Sequence, residues 1–141
     1  MRRDEAWARA RFAAARVARL ATVSADGVPR PVPIVFVVVG DRLVTAVDHK
    51  PKSTTRLRRL ADIEASPRVA VLVDEYAEDW SQLWWARADG TATVHQTYDV
   101  GPLVAKYDQY AGRPPAGPVI VVDVERWSGW SAAPPTDPSA D

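Results

Sequence analysis

The sequence predicts a mainly β protein with short α-helices, a small antiparallel barrel of about six strands. Short runs rich in β-branched residues are joined by tight-turn signals, such as Asp26-Gly27 and Gly40-Asp41. Only three segments show helical spacing of apolar residues. The chain has 141 residues, of which 47% are apolar, so a single core is expected. We therefore predict one domain over residues 1–130 and a disordered Pro-rich tail over residues 131–141.

The first half of the chain is predicted to contain one helix and a series of hairpins. An amphipathic helix begins near Asp4, whose side chain suits a helix start. The expected elements are a helix over residues 4–16 and strands over residues 20–23, 28–39 and 43–47. Pro29, Pro31 and Pro33 alternate along the second strand, so one of its edges lacks N–H donors and cannot pair normally.

The second half is predicted to alternate strands with two helices. One helix follows Lys52, with Ser53 or Thr54 as its N-cap, and ends at Ser66-Pro67. A strand rich in aromatic residues is interrupted near Asp89-Gly90. The remaining expectations are strands over residues 69–73, 82–94 and 119–124, and a short helix over residues 103–110.

Several classes of function are disfavoured by the composition. The absence of cysteine excludes disulfides, zinc–thiolate sites and thiol nucleophiles, and it fits a cytoplasmic protein without a signal segment. His49 and His95 are distant in sequence and have no acidic cluster beside them, so no metal site is expected. The longest apolar run is too short to span a membrane. A net charge of zero argues against binding of nucleic acid through the Arg-rich first helix.

A basic segment before the central helix has the composition of an anion site. Lysines and hydroxyl groups precede a helix start, where backbone N–H groups are unpaired and the helix dipole is positive. Arg56 and Arg59, one turn apart, can add charge on one face. The candidate residues are Lys50, Lys52, Ser53, Thr54 and Arg56. A normally capped helix with solvated basic residues remains an equal alternative.

Aromatic residues supply further candidates. Trp85 and Arg87 share one face of an alternating strand and could line a pocket for a flat anionic ring, although core or interface packing is the more common role. Tyr107 and Tyr110 could donate a proton, but packing explains Tyr107 equally well. No residue is assigned a catalytic role.

The order of these segments resembles the pyridoxamine-phosphate-oxidase-like split β-barrel family, and especially its small deazaflavin-dependent branch. The resemblance extends from about Arg16 to Trp130. It rests on Leu20-Ala21-Thr22-Val23-Ser24 with Asp26-Gly27, on Lys52 to Leu60 followed by Ser66-Pro67-Arg68-Val69, on Trp85-Ala86-Arg87-Ala88-Asp89-Gly90, on Ala105-Lys106-Tyr107-Asp108-Gln109-Tyr110, and on Trp127-Ser128-Gly129-Trp130.

This resemblance implies a homodimer with two cofactor grooves at its interface, which bind FMN or the deazaflavin F420. It implies that Lys52 and Ser53 bind the cofactor phosphate, with Lys50, Thr54 and Arg56 nearby. The ring would lie against Pro33, Val35 and Phe36 on one side and residues 45–47 on the other. Trp85 and Arg87 would come from the opposite subunit.

Two observations favour F420. Five basic residues and no acidic one lie between Lys50 and Arg59, which suits a phosphate that continues into an oligoglutamate tail. The chain also lacks the C-terminal Arg-His region that binds substrate in the family's pyridoxamine phosphate oxidases. The sequence therefore favours an F420-dependent oxidoreductase acting on a small electron-poor molecule. An FMN-dependent reductase or oxidase, and a non-catalytic protein that binds flavin, F420 or a tetrapyrrole, remain alternatives.

Overall fold

The computed structural model describes residues 1–47 and 54–132, with residues 54–57 described by their backbone alone. The strands are β1 (Arg2–Arg3), β2 (Ala18–Val23), β3 (Pro29–Ile34), β4 (Val37–Val39), β5 (Arg42–Ala46), β6 (Arg68–Glu75), β7 (Trp84–His95) and β8 (Val119–Ser131). The helices are α1 (Glu5–Ala14), α2 (Thr54–Ala65) and α3 (Gly101–Lys106), and short 3₁₀ turns cover Trp80–Gln82 and Asp108–Tyr110. The mainly β class predicted from the sequence is confirmed.

All the described strands belong to one antiparallel sheet. Its order is β3-β2-β6-β7-β8-β5-β4, and β1 pairs with the far end of β8. This arrangement is a split β-barrel, whose interior holds Leu20, Val71, Ala88, Ile120 and other buried apolar residues. A smaller apolar cluster lies between α3 and the outer face of β5 and β8, and it includes Leu103, Val44 and Val121. The ligand-sized cavity described below lies beside this second cluster.

The hairpin of β2 and β3 accommodates the three alternate prolines. Pro29, Pro31 and Pro33 all lie opposite β2 residues in register. In an antiparallel pair, only every second residue of a strand directs its N–H group toward a given neighbour. Because β3 is at the end of the sheet order and has β2 as its one neighbour there, the missing N–H groups of the prolines can all face away from β2. The predicted edge without normal pairing is therefore the outer edge of the sheet.

The structure differs from the predicted elements mainly at three boundaries and in one additional strand. The run over residues 28–39 is two strands, because the ladder breaks at residues 35–36. The helix over residues 103–110 ends at Lys106 and continues as a 3₁₀ turn. The last strand extends to Ser131, because β8 pairs with β7 along nearly the whole length of β8. The two-residue β1 had no sequence signal, because its only pairing is with β8.

Helix α1 packs across β7 and β8 through aromatic contacts. Asp4 is its N-cap, as predicted, and accepts a hydrogen bond of 2.8 Å from the Trp7 amide. The Trp7 ring meets the Trp84 ring edge-to-face at 6.0 Å, and the Arg11 guanidinium lies over both rings. Two of the arginines near the N-terminus, Arg3 and Arg11, therefore stack on Trp7.

Helix α2 is anchored to the β2–β3 hairpin by a buried carboxylate. Asp62 is only 5% exposed. Its Oδ2 atom accepts a hydrogen bond of 3.2 Å from the Thr22 hydroxyl and lies 3.6 Å from the Arg30 guanidinium. Because a buried carboxylate needs such partners, this contact fixes where α2 crosses the hairpin.

Candidate functional site

A cavity of about 380 Å³ opens between the β3–β4 break, β5 and the segment after α3. Its volume lies in the range of small-molecule sites, about 300–1,000 Å³. The part of the lining that the structure describes is mostly apolar or aromatic and contains a single cation. It consists of Pro33, Ile34, Val35, Thr45, Ala46, Arg59, Tyr107, Gln109 and Tyr110. No carboxylate is among these lining residues.

The hydroxyl groups of Thr45 and Tyr107 form hydrogen bonds with the backbone of residues 35–36, where the pairing of strands is interrupted beside the cavity. The Thr45 hydroxyl donates a hydrogen bond of 2.7 Å to the Val35 carbonyl. The Tyr107 hydroxyl accepts a hydrogen bond of 3.0 Å from the Phe36 amide and lies 2.8 Å from the Phe36 carbonyl oxygen. Backbone groups at residues 35–36 that the ladder leaves unpaired are thus satisfied by side chains.

Tyr107 is a poor candidate for proton donation because its hydroxyl is already in use. Its single proton is shared between the carbonyl oxygens of Phe36, at 2.8 Å, and Arg16, at 3.0 Å. Burial raises its pKa, and the Phe36 hydrogen bond and the Arg16 charge only partly oppose this. The structure therefore favours a positioning role for Tyr107. Tyr110 lines the cavity and meets the Tyr107 ring edge-to-face at 6.1 Å.

Lys106 and Arg16 join the end of α1 to the end of α3 behind this wall. The Lys106 ammonium donates a hydrogen bond of 2.8 Å to the Ala15 carbonyl and lies 4.1 Å from the centre of the Phe36 ring. Arg16 in turn donates to the Lys106 carbonyl at 3.0 Å. Burial, with a smaller contribution from the Arg16 charge, lowers the pKa of Lys106 from 10.5 to about 8.

A second cavity of about 310 Å³ lies on the outer face of β6 and β7. Trp85 and Arg87 line it together, as their predicted common face requires, and the Arg87 guanidinium is 5.8 Å from the Trp85 ring centre. Arg87 also pairs with Asp89 at 2.9 Å. Leu72, Asp74 and Tyr76 complete the lining, and Tyr76 is 69% exposed.

The predicted site residues fall into three groups. Pro33 and Val35 line the first cavity, whereas the Phe36 side chain is fully buried and packs edge-to-face against Phe12. Trp85 and Arg87 line the second cavity, so the single chain does not bring them together with the first group. Lys50, Lys52 and Ser53, and the side chains of Thr54 and Arg56, lie outside the described residues.

Some cavity residues had a weak sequence signal or none. The sequence predicts Arg59 only as additional charge on one face, and its position in the cavity depends on how α2 packs against the β2–β3 hairpin. Gln109 had no signal, because the helix was expected to continue through it. Across residues 1–47 and 54–132, no group of histidine and acidic side chains could hold a metal ion, and no helix is long and apolar enough to cross a membrane.

The fold is a split β-barrel, and a cavity of ligand size lies beside the break between its edge strands β3 and β4. The sequence matches the family model described as pyridoxamine 5'-phosphate oxidase over residues 5–131. Because this match covers most of the chain, the protein belongs to the pyridoxamine 5'-phosphate oxidase family. The family resemblance inferred from the sequence is thereby confirmed.

Solved structures of similar fold cover most of the chain at low identity. A FAD-binding protein from Mesorhizobium loti is 21% identical, covers 92% of this chain and 93% of its own, and has a TM-score of 0.68. A FAD-binding protein from Mycobacterium smegmatis is 16% identical, with coverages of 92% and 97% and a TM-score of 0.63. A conserved hypothetical protein from Mycobacterium tuberculosis is 16% identical, with coverages of 92% and 86% and a TM-score of 0.71. No curated protein matches the sequence.

Proposed function

We propose that this protein is an F420-dependent oxidoreductase that transfers hydride between reduced deazaflavin and a small electron-poor organic acceptor. The observation that supports this most directly is the position of the first cavity. Its walls are residues 33–35 and residues 45–46, the two segments against which the family resemblance places the cofactor ring.

The lining of this cavity fits a planar heterocycle. Apolar side chains and the rings of Tyr107 and Tyr110 offer flat contact surfaces, while Thr45, Gln109 and Arg59 provide polar groups. None of the lining residues that the structure describes is a carboxylate, so these residues place no negative charge against an anionic or electron-rich ring. A flavin and a deazaflavin ring both satisfy these conditions.

In this proposal the protein binds and orients, and the cofactor provides the reactive atom. A reduced deazaflavin supplies a hydride to an electron-poor carbon. The Tyr107 and Thr45 hydroxyls fix the wall at residues 35–36, and the apolar lining excludes water from the ring face. No side chain is assigned as an acid, since the Tyr107 proton is engaged by backbone carbonyls, so solvent supplies any proton required.

The cofactor phosphate is proposed to lie at the segment that precedes α2 and at the first turn of this helix. Lys50, Lys52, Ser53, Thr54 and Arg56 are proposed to bind it, on the strength of their composition and the family resemblance. Replacing Lys52 and Arg56 together by alanine should weaken cofactor binding without unfolding the protein. Unchanged affinity with an unchanged melting curve would contradict this phosphate site.

The functional unit is proposed to be a homodimer. Tyr76 lines the cavity of Trp85 and Arg87 on the outer face of β6 and β7 and is 69% exposed, and Trp80, between β6 and β7 in the chain, is 76% exposed. Exposed aromatic residues are typical of protein interfaces. In a dimer this face would bring Trp85 and Arg87 toward the partner's cofactor.

A flavin cofactor, FMN in the first instance, is the second candidate. It is supported by the fold shared with two proteins named as FAD-binding, those from Mesorhizobium loti and Mycobacterium smegmatis. The cavity lining does not separate flavin from deazaflavin, because both present a ring of similar shape. The preference for F420 rests on the five basic residues between Lys50 and Arg59.

Fluorescence titration with F420 and, separately, with FMN tests the proposal. We expect micromolar or tighter binding of F420 and much weaker binding of FMN, followed by turnover in a screen of electron-poor acceptors. Tighter binding of FMN would move the protein to the flavin-dependent alternative. Tight binding without turnover on any acceptor would favour a non-catalytic binding protein, and binding of neither compound would contradict the proposal.

A further inference from the structure

Among the described residues that line the first cavity, Arg59 is the one cation. It is half-buried and shares the cavity with Tyr107, Tyr110 and Gln109. Its neighbour on the same helix, Arg58, is exposed and does not line the cavity. The two adjacent arginines of α2 therefore have different environments, although the sequence alone does not distinguish them.

The position of Arg59 is fixed by the anchor of α2. Asp62 follows Arg59 by three residues, so the two side chains project from the same side of the helix. Asp62 contacts Thr22 and Arg30, which lie at the turn end of the β2–β3 hairpin. Arg59, one turn earlier, faces Pro33 and Ile34 at the other end of β3.

The surroundings of Arg59 suit a ring better than a phosphate. It lies five residues after Thr54, the first residue of α2, which at 1.5 Å per residue is about 7 Å along the axis from the helix start. Phosphate binding at a helix uses the unpaired N–H groups of the first turn. Around Arg59 the cavity instead presents backbone walls, two tyrosine rings and the Gln109 amide.

We propose that Arg59 recognises the ring of the bound cofactor, by donating hydrogen bonds to electron-rich oxygen or nitrogen atoms at the edge of a planar heterocycle, and that it does not bind the phosphate. This inference rests on the proposed function. In this inference Arg59 is the side chain that gives the cavity its preference for electron-rich rings. Its guanidinium is planar and always charged, so it can donate hydrogen bonds to two adjacent acceptor atoms.

The test compares compounds that share a ring but differ in the phosphate and whatever is attached to it. Binding of FMN and riboflavin, and of F420 and its phosphate-free deazaflavin fragment, is measured by tryptophan quenching for wild type, Arg59→Met and the matched control Arg58→Met. We expect Arg59→Met to weaken both members of a pair by the same factor, about tenfold or more. Arg58→Met should leave the affinities for FMN and riboflavin, which have no oligoglutamate tail, unchanged, and Arg59→Lys should recover only part of the loss because it keeps the charge without the planar group.

Three results would overturn the inference. Loss of affinity only for the phosphate-bearing member of each pair would make Arg59 a phosphate ligand. Unchanged affinities in Arg59→Met would show that Arg59 does not contact the bound compound. Equal losses of affinity for FMN and riboflavin in Arg58→Met would show that Arg59 acts only through its positive charge. If Arg59→Met does not fold, the same comparison in Arg59→Lys decides the question. Failure of the wild type to bind any of the four compounds would instead contradict the proposed function, and this inference with it.

Discussion

The hydroxyl of Tyr107 lies 3.0 Å from the amide nitrogen of Phe36 and 2.8 Å from the carbonyl oxygen of the same residue. One side chain thus engages both backbone polar groups of Phe36, in the break between β3 and β4. Because the Tyr107 ring also lines the first cavity, this contact couples the stability of the fold to the shape of the proposed site.

Removal of this hydroxyl should destabilise the protein. In Tyr107→Phe, the ring remains but the Phe36 amide and carbonyl lose their shared partner in a buried region. We expect the free energy of unfolding to fall by about 2 kcal/mol or more, measured by urea denaturation. Cofactor binding should weaken as well, since the wall at residues 35–36 is no longer fixed.

Tyr98→Phe is the matched control. The Tyr98 hydroxyl has only a 3.5 Å contact with Arg42 at the surface, so its removal should change stability by less than about 0.5 kcal/mol. Equal effects of the two tyrosine substitutions would contradict the role assigned to Tyr107.

Lys106 should make stability depend on pH in a defined direction. Its pKa is lowered to about 8 in the folded protein from 10.5, so between these values the unfolded state binds more protons and stability rises with pH. Arg16, whose charge also lowers this pKa, stays protonated throughout. We therefore expect the free energy of unfolding of wild type, relative to Lys106→Met, to increase between about pH 7.5 and pH 9.5.

The measurement is a series of denaturation curves for the two proteins in matched buffers. Its upper limit stays below pH 10, because the raised pKa of Tyr107 gives a loss of stability above that point. A difference between wild type and Lys106→Met that stays flat or falls over this range would show that Lys106 is not desolvated as described.

Gly90 of β7 lies opposite the irregularity in β8, where the register shifts by one residue and only glycine fits. A Cβ atom at this position would lie 2.1 Å from the Asp123 carbonyl oxygen of β8, and the next nearest atoms are also β8 backbone, which leaves little room for adjustment. Gly90→Ala should therefore lower the free energy of unfolding by about 2 kcal/mol or more. Gly112→Ala is the control, since nothing lies within 4 Å of its added Cβ atom. Similar melting temperatures for the two variants would contradict the close approach of β7 and β8.

Asp62 should influence ligand binding from outside the cavity. Asp62→Ala removes the buried contact with Thr22 and Arg30, so α2 and its Arg59 are held less firmly. We expect a loss of stability of about 1–3 kcal/mol and weaker cofactor binding. Asp123→Ala, which removes an exposed pair with Arg42, should leave affinity unchanged. If Asp62→Ala loses stability but keeps its affinity for the cofactor, the contact of Asp62 with Thr22 and Arg30 does not influence the first cavity.

Local patterns predicted most of the fold. The turns at Asp26-Gly27 and Gly40-Asp41, the cap at Asp4 and the interruption near Asp89-Gly90 are local features, and all are present. The break at residues 35–36 and the full length of β8 depend on distant partners, Tyr107 and β7, which no local pattern contains. The cavity walls at residues 33–35 and 45–46 followed from the family resemblance, whereas Arg59 required the packing of α2.

A cavity-filling substitution tests most directly whether the first cavity holds the cofactor ring. Ala46 lines the cavity, so Ala46→Trp should occupy the space proposed for the ring, whereas Ala25→Trp adds the same side chain at an exposed position in the β2–β3 turn. Titration with F420 and FMN should show binding to wild type and Ala25→Trp, and affinity lower by about tenfold or more in a folded Ala46→Trp. Wild-type affinity in Ala46→Trp would place the cofactor elsewhere and contradict the account.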